Sequence, residues 1–577
     1  MLLVGCLVQG GAVERHFNMT VSTRMEMEYG ENCEWPLGEH CEPNFLAYEK
    51  GGKLMYRRGS ANTGELGPEL EVPAEADVLV IDGTYRSVTA INGHVPGPPI
   101  EVTEGDTVVV HLTNRLPNEA TTLHFHGMWQ RGTPWMDGVS QITQCAVLPG
   151  ETFTYRFVAE PAGTHFYHSH HGVQRPEGIF GALVVHPKPK AGAAVALPQP
   201  GVGAAAQCPV MILSVWQHLD TQSLYTQRDG PGWFPDGADG KPWKWSRDVS
   251  GKLVGEIPMV SGLINGRGRV PGGPKVNLTV FEVDGMSHCF RVIASQEGKA
   301  LRLSIDQHSL SVTSTDGNAL QPIQGLQSVI IFPGETVDIT ASCTVTAHDP
   351  PGAVGCEEQQ GNYWVRASTL EVGMGNNHTA WGVLRYPGAA LADPTSSPRD
   401  CTADARCKVF NCPFPSFHPS DYTDCIIVDQ ARDADASSTA IAAGAQEVEG
   451  EGGGAAGDVA VDLPMALPMI EKFLNFGFEP SINNRRFHYP EAPPLTQPPS
   501  QSRMLACDDA RCDAAAFPKE PCECTHVLDL PFNRTIQLVL TNLGASLIVV
   551  GVHSPTCDSA CVHIDQLIVT EMFVVVE

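Results

Sequence analysis

The stretch from Thr122 to Val185 contains two histidine pairs, His124-Phe125-His126-Gly127 and His168-Ser169-His170. Residues two positions apart in a β-strand point to the same face, so each pair directs two imidazoles to one side of a sheet. Two such pairs on strands of one sheet can surround a common centre with four imidazoles. Imidazole nitrogen binds copper, zinc, iron and nickel, so the stretch predicts a metal site in a β domain.

A single His-x-His pair is more often an ordinary surface or core feature, but the flanking residues favour a metal site here. The flanks are Met128-Trp129, Asp137-Gly138, Gln144-Cys145, Gly163-Thr164-His165-Phe166-Tyr167, Gln174 and Gly178-Ile179-Phe180-Gly181-Ala182-Leu183-Val184-Val185. Together with the two pairs, they resemble the multicopper oxidases (laccases, ascorbate oxidases and their relatives), especially the laccases of animals. The motif match is a hypothesis that the structure of the site can test.

Length and charge narrow the range of functions. A chain of 577 residues is too long for one hydrophobic core, so two to four domains are expected. A net charge of −28 argues against nucleic acid or an anionic membrane surface as a partner. Such an acidic surface keeps a protein soluble, or favours cationic substrates. The sequence also contains no run approaching the ~18 apolar residues of a membrane helix, so no membrane span is predicted.

The cysteine content favours an exported protein. Eighteen cysteines are too many for one redox site and indicate disulfide bonds. Zinc is the alternative for the Cys507–Cys524 cluster, although its spacings fit no common zinc pattern. The short apolar start, Met1–Val8, is consistent with a clipped signal peptide. We therefore predict a secreted or cell-wall glycoprotein with candidate glycosylation sites at Asn18, Asn277, Asn377 and Asn533.

Short apolar runs separated by turn residues predict an all-β chain. Val78–Asp82, Thr107–Asn114 and the alternating Phe153–Phe157 are typical of strands. Cys401, Cys407, Cys412 and Cys425 are expected to form disulfides within a long linker, whose second half is Ala/Gly-rich and acidic. The predicted regions are an irregular leader (1–74) that contains Cys33 and Cys41, a first β domain (75–187), a linker (188–207), a second β domain (208–388), the cysteine-containing acidic linker (389–462) and an incomplete third β domain (463–577).

Two internal repeats connect these domains. The turn Pro149–Thr152 recurs as Pro333–Thr336, and the pattern of Thr107–Asn114 recurs in Thr535–Asn542. The first and third domains therefore look like copies of one unit. The second domain resembles the middle domain of animal-type laccases, which binds no copper, so His308 is expected to be structural. This likeness lies in Leu263–Gly268, Ile305–His308 and Gly361–Trp364.

The third domain departs from the family pattern. The family places H-P-x-H-x-H-G after a Thr-Asn pair, yet no histidine follows Thr541-Asn542 before Gly551. The family's final H-C-H-I motif is matched only by His563-Ile564, with Val562 in the place of the copper cysteine and Cys561 in that of a histidine. Two explanations are open: an incomplete gene translation, with segments lost around 543–546 and 551–563, or a divergent protein that lost copper chemistry. The close match of the flanks favours the first.

The resemblance implies three cupredoxin-like β-sandwiches, the third truncated, with copper as cofactor. It assigns His124 to a type 2 copper and His126, His168 and His170 to a type 3 pair, with His563 as a further type 3 candidate. Cys561 is a further metal candidate, and no residue fits the type 1 site. The implied reaction is one-electron oxidation of a phenol or similar small reductant, coupled to reduction of dioxygen to water. The alternative is a secreted, non-catalytic or partially copper-binding glycoprotein.

Overall fold

The computed structural model describes two β-sandwiches and several short segments of the chain. The described residues are 13–29, 45–51, 53–59, 66–73, 76–188, 208–221, 223, 259–283, 287–343, 361–370, 379–412 and 422–426, with short pieces between 459 and 573. They are nearly all β, which confirms the predicted fold class. In this part of the chain, no helix has the length and apolar character needed to cross a membrane.

The strands follow one another in short segments. Up to residue 126 they are β1 (Glu14–Met25), β2 (Glu28–Tyr29), β3 (Phe45–Lys50), β4 (Lys53–Gly59), β5 (Leu66–Glu71), β6 (Ser87–Ile91), β7 (Ile100–Thr103), β8 (Thr107–Asn114) and β9 (His124–His126). A 3-10 turn, Pro134–Met136, follows. The next strands are β10 (Thr152–Val158), β11 (Gly163–His168), β12 (Phe180–His186), β13 (Val210–Trp216), β14 (Ser261–Ile264), β15 (Arg267–Gly268), β16 (Val280–Glu282) and β17 (Ser287–Ala294).

The remaining strands extend to residue 573. They are β18 (Leu301–Ile305), β19 (Ser309–Thr315), β20 (Asn318–Leu326), β21 (Ser328–Ile331), β22 (Thr336–Ser342), β23 (Asn362–Thr369), β24 (Thr379–Arg385), β25 (Cys407–Phe410), β26 (Thr423–Ile426), β27 (Val459–Leu463), β28 (Ser481–Ile482), β29 (Arg485–Phe487), β30 (Cys522–Cys524), β31 (Ile536–Leu540), β32 (Val552–His553) and β33 (Met572–Phe573).

The first sandwich packs a sheet of order β10-β8-β1-β6 against a sheet of order β7-β12-β11-β9. Side chains alternate along β8, so Val108, Val110 and Leu112 point into the core. The aromatic residues Phe125 and Tyr167 enter the same core from the second sheet. This core fixes the two strands, β9 and β11, that contain the predicted histidines.

The prediction that residues 1–74 are irregular is wrong for the strands in that range. β1 runs parallel to β8, from Glu14 opposite Thr107 to Val21 opposite Asn114, and antiparallel to β6. The alternation of polar and apolar residues in β1 buries Met19 and Val21, leaves Asn18 exposed and leaves Thr20 partly exposed. Strands β2–β5 form a separate four-stranded sheet. Cys33 and Cys41 lie outside the described residues, and the domain boundaries stay predictions.

The second sandwich consists of two seven-stranded sheets, β15-β14-β13-β17-β22-β19-β20 and β16-β24-β23-β18-β21-β25-β26. Part of the predicted linker (389–462) belongs to it, because β25 pairs parallel with β21 and β26 pairs with β25. That expectation is therefore wrong for these two strands. The prediction that the four cysteines of this segment form disulfides is confirmed, since the bonds are Cys401–Cys407 and Cys412–Cys425. A third bond joins Cys208 to Cys289.

The backbone of the last segment shows one pairing that matches the predicted repeat. β31, within the repeated pattern of Thr535–Asn542, runs parallel to β27. This repeats the parallel pairing of β8 with β1. A complete third sandwich stays a prediction.

Polar contacts and a shared apolar cluster join the two sandwiches beside β11. The Thr164 hydroxyl donates to an Asp338 carboxylate oxygen at 2.6 Å, and the Thr336 hydroxyl donates to the Thr164 carbonyl at 2.7 Å. Phe166 and Ile293 lie in one buried cluster to which both sandwiches contribute. The second sandwich therefore restrains the strand that contains His168.

Candidate metal centre

The pairing of β9 with β11 brings the two histidine motifs together. His168 lies directly opposite His124, and Phe166 lies opposite His126. The side chains of His124 and His168 are almost completely buried, and His126 is half-buried. Nitrogen atoms of these three imidazoles lie within 4.8 Å of one another, a group that could hold a metal ion.

His170, just beyond the end of β11, completes a cluster of four imidazoles. Its ring centroid is 5.4 Å from that of His124 and 5.7 Å from that of His168. The centroids of His126 and His168 are 5.6 Å apart. The structure thus brings together the four residues predicted from the two sequence pairs. We call His124, His126, His168 and His170 the histidine cluster.

Backbone carbonyls fix the orientation of two of the rings. The Nδ1 of His124 lies 2.6 Å from the Asp137 carbonyl, and the Nδ1 of His168 lies 2.9 Å from the Ser169 carbonyl. A carbonyl can only accept, so each Nδ1 must donate its hydrogen. In the neutral ring, Nε2 then bears the lone pair that a metal needs. Sequence reasoning did not identify the carbonyl of Asp137 as a partner of the cluster.

Burial favours the neutral form of the innermost rings. Burial lowers the pKa of His168 well below its usual range, with a further contribution from the nearby positive charge of Arg175. It lowers the pKa of His170 to about 3, and the neighbouring His124 adds to the shift. Because a metal binds neutral imidazole, His168 and His170 can bind a metal near neutral pH without first losing a proton.

Glycines allow close packing of the backbone beside the cluster. Gly138 has φ +84°, and a Cβ at this position would lie 1.9 Å from the Leu123 carbonyl oxygen. Gly127 has φ +92°, and its Cβ would lie 2.4 Å from the Nδ1 of His165. The sequence signal for these contacts was a glycine directly after a functional residue. Gly127 follows the cluster residue His126, and Gly138 follows Asp137, whose carbonyl binds His124.

A buried polar network supports the segment between His168 and His170. The Ser169 hydroxyl donates to the Gln174 side-chain oxygen at 2.8 Å, and the Thr121 hydroxyl donates to the same oxygen at 2.8 Å. The Gln174 amide donates in turn to the Ala120 carbonyl at 2.8 Å. Ser169 is therefore a positioning residue that ties the second motif to the chain entering β9.

The second sandwich borders the cluster through the repeated Pro-Gly-Glu-Thr turn. A Cβ at Gly334 would lie 3.4 Å from the Cε1 of His126. His308, by contrast, lies inside the second sandwich, where its Nδ1 donates to the Asp306 carbonyl at 2.8 Å and its Nε2 lies 2.9 Å from the Tyr386 hydroxyl. This is what we expect of a structural histidine. Cys561 and His563 lie outside the described residues.

Comparisons with known proteins agree with this geometry. Family models described as multicopper oxidase match residues 74–190 and 232–389. L-ascorbate oxidase of Cucurbita maxima is 31% identical over 386 residues, which cover 64% of this chain and 59% of that protein. Laccase-1 of Botryotinia fuckeliana is 32% identical over 332 residues, covering 57% and 50% respectively. The chain spans about half the length of the curated relatives it matches.

A solved structure shares the fold. The multicopper oxidase Fet3p, which functions in iron import, aligns with a TM-score of 0.50 at 17% sequence identity, covering 92% of this chain and 73% of that chain. At this identity, the likeness shows the fold alone. It confirms the predicted cupredoxin-like class, whereas the number of domains stays a prediction.

Proposed function

Because this chain belongs to the multicopper oxidase family, we propose that it is a copper-dependent oxidase of the laccase type. The observation that supports this most directly is that four imidazoles lie together. Two come from β9, one is His168 at the end of β11, and the fourth is His170 just beyond it. The chain buries His124 and His168, and the second sandwich reaches His126 at Gly334. An outer pair of hydrogen bonds orients the rings, as is usual for metal-binding histidines.

The donor set fits copper. Imidazole suits copper among the transition metals, and the burial of His168 and His170 keeps these rings neutral. When bound, copper would supply the one-electron transfers that couple oxidation of a phenolic or similar reductant to reduction of dioxygen to water. The chain positions the four imidazoles and fixes the tautomers of His124 and His168 through hydrogen bonds to backbone carbonyls. Burial keeps bulk water away from these two rings.

We assign individual ligands from the family pattern. His124 is proposed for the type 2 copper, and His126, His168 and His170 for the type 3 pair. His563 and Cys561 are proposed as ligands contributed by the third segment. The type 1 site has no proposed ligand in this chain.

We further propose that the protein is exported and glycosylated. Disulfides persist in oxidising compartments, and three are present among the described residues. Asn18 and Asn277, each within an Asn-x-Thr triplet, are exposed on the surface. Both are therefore accessible to a glycosylating enzyme.

The test is copper content and oxygen uptake of the full chain, expressed with copper supplied. We expect bound copper and oxygen uptake with a methoxyphenol as reductant. His168→Gln should lower copper affinity by at least about 100-fold, since even loss of an outer partner costs 10–100-fold. The exposed His94 offers a matched control, because His94→Gln makes the same chemical change away from the cluster.

The stoichiometry separates the alternatives. About four coppers per chain would indicate that residues such as Cys561 and His563 complete the sites of the family. Two or fewer, bound without oxygen uptake, would overturn the oxidase assignment and leave a copper-binding protein. Equal copper content in the wild type and His168→Gln would exclude the histidine cluster as the site.

A further inference from the structure

A second pair of histidines lies on the outer face of the first sandwich, on the sheet that does not contain the cluster. His16 is on β1 and His111 on β8, and these strands run parallel with Asn18 opposite His111. His16 is therefore the diagonal neighbour of His111 on the same face. The side chain of His16 is 53% exposed, so this pair faces solvent.

The facing nitrogens are separated by a distance that suits a shared metal ion. The Nδ1 of His16 lies 3.4 Å from the Nε2 of His111. For zinc–nitrogen bonds of about 2.0–2.1 Å, two ligands at a tetrahedral angle lie roughly 3.3–3.4 Å apart. A direct hydrogen bond between the two rings would be long at this separation.

In each ring, the nitrogen that faces away from the other histidine lies within hydrogen-bond distance of an oxygen atom. The Nε2 of His16 lies 2.9 Å from a Glu14 carboxylate oxygen. The Nδ1 of His111 lies 2.9 Å from the hydroxyl of Thr154, its direct neighbour on β10. Metal-binding histidines commonly have such a partner on the second ring nitrogen, which fixes the ring and its tautomer.

The hydrogen bonds allow both facing nitrogens to bear a lone pair. The Glu14 carboxylate accepts, so the Nε2 of His16 donates, and the Nδ1 of a neutral His16 faces His111 with a lone pair. If His111 donates from Nδ1 to the Thr154 hydroxyl, its Nε2 also presents a lone pair. In the other tautomer, His111 is protonated on Nε2 and donates to the Nδ1 of His16, while the Thr154 hydroxyl donates to the Nδ1 of His111.

We propose that His16 and His111 form a second metal site, for a divalent cation of zinc or copper(II) type, on the surface of the first sandwich. Water fills the remaining positions, as in open zinc sites. Arg156 opposes binding, because its guanidinium lies 2.6 Å from the other Glu14 carboxylate oxygen. That cation is exposed, so solvent and salt screen its repulsion.

The experiment is equilibrium dialysis of the full chain against Zn²⁺, with zinc per chain measured by elemental analysis. The histidine cluster contributes equally in all variants, so differences report the surface site. We expect His16→Gln and His111→Gln each to bind one zinc ion fewer than the wild type. His94→Gln, an exposed histidine outside the pair, should bind as many as the wild type.

A variant that keeps both ligands guards against misfolding as an explanation. Thr154→Val removes only the hydroxyl behind His111 and should weaken zinc binding at this site about 10-fold or more. A zinc count and affinity that are unchanged in all three surface-site variants would overturn the proposal and leave an ordinary histidine pair. A loss of the same size in His94→Gln would overturn it as well.

Discussion

The second sandwich repeats the strand pairing that holds the histidine cluster in the first, but with different chemistry at the equivalent positions. β11 pairs with β9 and β12, and β23 pairs with β18 and β24. Tyr167 lies opposite Gly181 in the first sandwich, and Val365 lies opposite Gly382 in the second. Because the registers match, His168 and Arg366, which follow Tyr167 and Val365, occupy equivalent places.

The equivalents of the other cluster residues follow from the same register. His168 lies opposite His124, and Arg366 lies opposite Ser304. His126, two residues after His124, then corresponds to Asp306. Where the first sandwich brings two imidazoles within 3.4 Å, the second forms a bidentate ion pair from Arg366 to Asp306 at 2.7 and 2.8 Å.

One strand frame therefore supports either a group of imidazoles or a buried ion pair. The frame itself depends on features that both sandwiches share, such as the turns Pro149–Thr152 and Pro333–Thr336 before β10 and β22. The chemistry depends on two pairs of alternating positions. A domain can therefore resemble its neighbour closely in topology and still present an ion pair where the neighbour presents imidazoles.

The largest effect is expected from transferring the ion pair to the first sandwich. The double variant His126→Asp with His168→Arg should lose the copper of the cluster, because a guanidinium cannot bind a metal and repels it. The fold should persist, since the second sandwich holds the same pair at the same positions. Copper analysis and far-ultraviolet circular dichroism measure the two effects. Retained copper in a folded double variant would contradict the equivalence.

A smaller effect is expected from breaking the ion pair of the second sandwich. Asp306 is fully buried, so Arg366→Met should lower the free energy of unfolding by about 3–5 kcal/mol, because it leaves a buried charge without its partner. Equilibrium urea unfolding measures this loss. Arg385→Met is a matched control, since Arg385 reaches the exposed Glu282 only at 3.8 Å and should lose less than about 1 kcal/mol.

The double variant Asp306→Leu with Arg366→Met tests the cause. Replacing both members of a buried ion pair with apolar residues is often neutral, so most of the lost stability should return. If the double variant is as unstable as Arg366→Met, the loss reflects packing of the arginine side chain against Trp381, 4.5 Å away, rather than the uncompensated charge.

The sequence could predict the histidine cluster because it depends on local periodicity. Two His-x-His pairs in strands determine which side chains share a face, and pairing of β9 with β11 needs only the hydrophobic pattern around them. The repeated turn, Pro149–Thr152 and Pro333–Thr336, likewise related the first sandwich to the second. Such signals are contained within a few consecutive residues.

Features that depend on distant residues could not be predicted in the same way. β1 joins the first sheet by pairing with β8, about 90 residues later in the chain. The ion pair of Asp306 and Arg366 became visible only through the strand registers. The Asp137 carbonyl that orients His124 is a backbone group, and its identity leaves no trace in side-chain patterns.

The smallest of these effects concerns a loop that the second sandwich does not share in sequence. Gly138 follows the residue whose carbonyl holds His124. Gly138→Ala forces a left-handed backbone on alanine and a contact with the Leu123 carbonyl at 1.9 Å. We expect a loss of about 2–4 kcal/mol in the free energy of unfolding. We also expect about tenfold weaker copper binding, because the shifted loop no longer orients the His124 ring.

Gly132→Ala separates backbone strain from the contact with the cluster. Gly132 also has a positive φ, +69°, but nothing lies within 4 Å of its Cβ position. Gly132→Ala should lower the free energy of unfolding by only about 1–2 kcal/mol, which is the cost of the left-handed conformation. Its copper affinity should not change. Equal losses in the two variants would mean that Gly138 acts through strain alone. If only Gly138→Ala lowers copper affinity, the loop that contains Asp137 and Gly138 contributes to metal binding by orienting His124. The second sandwich does not share this loop in sequence.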